Sequence, residues 1–194
     1  MIGTLPRSLE VNGTAYPIRT DYRVALTVIE AFGDNNLTAE EKAIVAIECL
    51  FQCGIAGIPQ KDIEEAYNQA IWFLNRGDTI EEPRAQAKVY DFEQDEQIIF
   101  SAINKVAGKE VRECEYMHFW TFMGLFSEIG EGTFATIVSI RDKKAKGKKL
   151  DKWELDYYKT HKSTIDFKKT YTDEEEAERD AVRILLGIEP KKGG

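Results

Sequence analysis

Two short runs alternate between apolar and polar positions, Ser8-Leu9-Glu10-Val11 and Thr14-Ala15-Tyr16-Pro17-Ile18, and they flank the dipeptide Asn12-Gly13. Asn-Gly supplies the positive φ angles that a two-residue hairpin turn needs at both centres, so the pattern predicts a β-hairpin. The period then lengthens. Asp21 offers an N-cap, and Val24, Leu26, Val28, Ile29 and Phe32 make an apolar-rich helix that stops at Gly33. Thr38 and Glu41 have capping-box spacing before Ile44, Ile47, Leu50 and Phe51, which share a predicted core face on a helix reaching Gly54. Pro59 suits a first helical position, and Ile63, Ala66, Tyr67, Ala70, Ile71 and Leu74 keep the 3.6-residue period until Gly77.

Residues 78–88 are polar, contain Pro83 and carry no period, as a loop or hinge would. Beyond them Asp91-Phe92-Glu93-Gln94 reads as a capped start for a helix through Ile98, Ile99, Ala102, Ile103 and Val106 to Gly108. The run from Tyr116 to Ile129 is apolar almost all round, which predicts a buried helix. Phe134, Ile137, Val138 and Ile140 mark a further helix over 133–141, and Lys143, Lys144, Lys146, Lys148 and Lys149 follow it as a solvated turn. Leu150 to Thr160, with Trp153, Leu155, Tyr157 and Tyr158, is weakly amphipathic. A last helix starts at Thr172-Asp173-Glu174-Glu175 and carries Ala177, Ala181, Ile184 and Leu185 to Gly187. The expected fold is mainly α: an N-terminal β-hairpin followed by about seven packed helices. Residues 1–170 form the globular domain, and 171–194 an acidic helix with a fraying end.

Composition narrows the function. With 43% apolar and 31% charged residues, the chain is ordinary for a folded domain. A net charge of −8 opposes a phosphate backbone, so nucleic acid is not the expected partner. No apolar run approaches the roughly 20 residues of a membrane helix, and the start lacks a secretory signal, which points to the cytoplasm. Cys49, Cys53 and Cys114 cannot all pair; the first two, four apart, are expected to be reduced and to face the core. His118 and His161 have no short-range ligand spacing around them, so no metal or cofactor is expected. His118 reads as a packed histidine bonded to backbone, and His161 as a surface residue. No nucleophile elbow, cysteine-protease pattern or phosphate-binding glycine loop is present, and no enzyme activity is expected.

What remains is binding. Tyr116, Phe119, Trp120, Phe122 and Phe126 form an aromatic band whose rings belong either to the core or to a partner groove. As a groove, helix 116–129 and its neighbour 133–141 would accept an amphipathic helix, with Arg141, Lys143 and Lys144 at the rim.

The order of several segments resembles a family of tail-morphogenesis proteins encoded between the tail-tube and tape-measure genes of long-tailed bacteriophages. These are LEVNGTAYPI at 9–18 followed by TDYR, YDFEQD at 90–95, MHFWTFMGLF at 117–126, IVSIRDKKAKGKKL at 137–150, and DFKK at 166–169. Phe119 stands where that pattern has a second tryptophan, and residues from Thr172 onward have no counterpart in it. The resemblance implies a tail assembly chaperone, made in the cytoplasm of an infected or lysogenic host. Such a protein holds the tape-measure protein until tail-tube subunits polymerise around it, and it leaves self-association open. The rival reading is a structural minor tail component that stays in the virion.

Overall fold

The computed structural model describes residues 3–78 and 87–168, together with Ala177 and Ile184. Strands β1 (Ser8–Val11) and β2 (Thr14–Pro17) pair antiparallel with Val11 opposite Thr14. Asn12 and Gly13 both take positive φ, 46° and 82°, as the tight turn demands. Leu9 and Val11 point inward from β1 and are buried.

Eight α-helices follow among the described residues: α1 (Tyr22–Gly33), α2 (Ala39–Leu50), α3 (Ile63–Leu74), α4 (Glu96–Ala107), α5 (Phe119–Ser127), α6 (Thr133–Ala145), α7 (Lys152–Thr160) and α8 (Lys162–Ile165). The predicted caps at two starts are in place. Asp21 accepts from the Arg23 amide, and Thr38 and Glu41 close a reciprocal box at α2. Two starts lie later than expected. Pro59 opens a single 3-10 turn over 60–62 before α3, and the Asp91 carboxylate caps a turn by accepting from the Glu93 and Gln94 amides, leaving α4 to begin at Glu96.

Helix α2 ends at Leu50, earlier than the glycine signal suggested, because the chain turns at Phe51 to bridge Ile18. The Arg19 guanidinium covers that end by donating to the carbonyls of Glu48, Cys49 and Phe51. A cation over the last carbonyls satisfies acceptors that a helix cannot pair internally and complements its dipole. The early ending leaves Cys53 exposed rather than in the core. Ile44, on the first turns of α2, is likewise exposed rather than part of the core face.

The main core pools residues from both sides of 78–88: Leu9, Tyr22, Val28, Leu50, Phe51 and Phe73 pack with Ile99, Ile103, Phe119 and Phe122. A smaller cluster of Ile137, Ile140 and Ile165 joins α6 to α8, with Ile98 of α4 touching both clusters. Residues 79–86, most of the predicted hinge, lie outside the described residues, as does the acidic helix expected beyond 171 apart from Ala177 and Ile184.

One ion pair holds the second half together. Arg141 of α6 and Asp95, the residue before α4, are both buried and meet in a bidentate pair. The guanidinium's remaining N–H groups donate to the carbonyls of Val89, Thr164 and Ile165, so all five donors are used. The Phe167 ring stacks 4.0 Å from its central carbon. Among the described residues no buried side-chain polar atom lacks a partner. Removing one member strands a buried charge, so Asp95→Asn and Arg141→Met should each cost about 3–5 kcal/mol in chemical denaturation. The double replacement Asp95→Leu/Arg141→Met should recover much of that loss.

Candidate functional site

Helix α5 begins where two chain segments clasp. The Tyr22 amide donates to the Met117 carbonyl (2.9 Å), and the Phe119 amide donates to the Thr20 carbonyl (2.8 Å). Asp21, besides capping α1, accepts from the Met117 amide. His118 caps α5: its Nδ1 accepts from the Trp120 amide at 3.1 Å, while Nε2 faces the Pro6 carbonyl at 3.0 Å. That pattern requires a neutral ring with its proton on Nε2.

The aromatic band divides along this helix. Phe119 and Phe122 are fully buried, so they are core and not a partner surface. Phe122 stacks on Tyr22 at 4.4 Å with nearly parallel planes, and Phe119 packs on Phe73. Trp120 is half-buried; its indole N–H donates to the Phe73 carbonyl (2.8 Å) and its ring lies beside Trp72. Phe126 sits among Tyr90, Phe92 and Phe134. Tyr116 is 49% exposed, and its hydroxyl bonds Thr20. The rings chiefly shield one another.

Of the three residues expected at a basic rim, one is buried and two are ion-paired. Arg141 is buried in the ion pair with Asp95. Lys143 donates to Asp151 and to Glu154, a buried carboxylate, and these bonds raise its pKa. Lys144 pairs with Asp166 beneath the Tyr158 ring. Both lysines extend α6 to Ala145, past the predicted end at 141, because each finds an acid on α7 or just after α8.

A groove does exist one face away. Between α4 and the turn from α5 to α6 lies a cleft of about 550 Å³, with Ile98, Ala102 and Val106 on one wall and Ile129 and Phe134 on the other. Lys105 bridges its edge by donating to the Glu131 carbonyl. Ile98, Ala102 and Val106 are four residues apart and form a stripe beside the core stripe of Ile99 and Ile103. All five were legible as apolar positions; the sign that they serve two surfaces is the width of that arc, greater than one buried face needs. None of the predicted partner-binding residues lines this cleft, although Phe126 packs against its Phe134 wall.

A second cleft of about 690 Å³, between the end of α1 and residues 88–93, is lined by Glu30, Asp34, Asp91 and Glu93. Burial, then the neighbouring carboxylates, push the Glu30 pKa up. Ile29, Leu37, Tyr90 and Phe92 share its lining, so carboxylates and apolar side chains meet there. Among the described residues no group of three or more His, Cys, Asp or Glu is placed to hold a metal ion.

The model of the family described as Bacteriophage Gp15 protein matches residues 1–167. The chain belongs to the Bacteriophage Gp15 protein family. It is therefore a phage protein, and the matched span covers every element from β1 to α8. No curated protein and no solved structure matches it. No helix among the described residues of this family member is long and apolar enough to cross a membrane.

Burial holds the His118 pKa below its ordinary 6.5. Because the folded state disfavours the proton, the stability it contributes is complete above pH 6.5 and is lost as pH falls from there through the lower folded value. Thermal melts between pH 7.5 and 5 should show that loss in the native chain. His118→Asn, which keeps a capping acceptor but does not titrate, should flatten it.

Proposed function

We propose that this phage protein is a tail assembly chaperone that binds an amphipathic helix of the tape-measure protein in the host cytoplasm. The observation carrying the reading is the apolar cleft between α4 and the α5–α6 turn. One wall, Ile98, Ala102 and Val106, repeats at helical spacing, and with Phe134 opposite it would receive the i, i+4 side chains of a docked helix. Membership of a phage family and the resemblance of the ordered segments to tail-morphogenesis proteins support the tape-measure protein as the partner. Binding of this kind needs apolar area and no reacting group, and the chain's polar chemistry is spent inside the fold: Arg141 and Asp95 on each other, Lys143 on Glu154, His118 on backbone.

Co-expression with tape-measure protein tests the cleft. Val106→Glu lies at its exposed edge, so the melting temperature should change little while tape-measure recovery falls tenfold or more, equivalent to about 1.4 kcal/mol. Unchanged recovery would move the binding site elsewhere. Phe122→Ala, by contrast, should cost about 3–5 kcal/mol of stability through a core cavity. Mass spectrometry of purified virions should find the protein absent; a stoichiometric amount would identify a structural tail component instead.

A further inference from the structure

The lysines are not spread evenly. Residues 143–168 carry nine lysines against four acids, whereas the chain as a whole has net charge −8. Lys143, Lys144, Lys146 and Lys159 have acidic partners, but Lys148, Lys149 and Lys152 form no ion pair among the described residues. Directly beside them, α7 leaves Trp153 58% and Leu155 42% exposed, on either shoulder of the buried Glu154. A tryptophan held in water next to unpaired cations is the composition of an interface anchor.

The complementary surface lies on the same chain. Ala177 and Ile184 are helical and exposed, Ile184 by 64%. In the sequence Ala177, Ala181 and Ile184 are spaced four and three residues apart, the interval of one helical face. Around that apolar face the sequence sets Asp173, Glu174, Glu175, Glu176, Glu178 and Asp180. Within one chain Trp153 and Ile184 both stay exposed, so neither covers the other.

We propose that the acidic C-terminal segment of one copy docks on the basic α7 face of a second copy, with Ile184 against Trp153 and the acids of 173–180 over Lys148, Lys149 and Lys152. Because donor and acceptor surfaces differ, the contact is head-to-tail, and each added chain presents a fresh acceptor; rings or filaments result. The contact uses neither wall of the α4 cleft and is measured on the pure chain, so it stands or falls apart from tape-measure binding.

Sedimentation velocity of the full-length protein, from micromolar to near-millimolar concentration, tests it. The average mass should rise above the monomer with concentration, and salt should weaken that rise by screening the charged part. Trp153→Glu and Ile184→Glu should each be monomeric alone with unchanged circular dichroism. Mixed together they should form a one-to-one heterodimer and stop there, since a single intact donor and acceptor remain. Lys149→Glu/Lys152→Glu supplies a second acceptor-side variant and should also be monomeric. A full-length chain that stays monomeric throughout, variants that associate like the native protein, or a mixture that does not associate would each overturn the proposal.

Discussion

Two opposite charges taken out of water can stay buried only if their hydrogen-bonding groups are matched, and Arg141 meets that condition with bonds to Asp95, to Val89 and to the consecutive residues Thr164 and Ile165. The carboxylate sits at the start of α4 and the guanidinium near the end of α6. The carbonyls it gathers come from residue 89 and from the end of α8. Three helices and the strand of chain that follows 86 are fixed relative to one another by this single node. The small cluster of Ile137, Ile140 and Ile165, with Ile98, Leu150, Tyr157 and Tyr158 packed against it, adds apolar contact between the same elements.

The first half is organised differently, by helix ends that supply one another's missing bonds. Arg19 closes α2, Asp21 opens α1 and also holds Met117, and His118 opens α5 while reaching Pro6. The clasp between residues 20–22 and 117–119 carries the aromatic helix into the core laid down by the hairpin and α1–α3. With α5 spent on that core, the outward side of α4 is left to form the cleft.

Local rules made much of this legible before any coordinates. The Asn12-Gly13 turn, the Thr38–Glu41 box, the Asp21 cap and the stop at Gly108 each follow from a short stretch of backbone chemistry, and each is found. The errors concern residues whose partners are distant in sequence. Arg141 reads as a groove-rim residue and Lys143 as part of a solvated turn because their acids are remote in sequence, 46 residues away for Arg141 and 8 and 11 for Lys143. Phe119 and Phe122 could belong to a core or a groove on composition alone, and only the positions of Phe73 and Tyr22 decide between the two. Cys53 was misplaced by the assumption that a helix runs to its next glycine, when the bridge between Ile18 and Phe51 ends it sooner.

Arg141 grips Val89, Thr164 and Ile165 through their carbonyls, not their side chains. Backbone oxygens are the same whatever residue bears them, so this node places its demand for chemical identity on 95, 141 and the stacked ring at 167. The side chains at 89, 164 and 165 can therefore change without removing its hydrogen bonds. That joint is a fixed pin around which the exposed surfaces of this phage protein can drift.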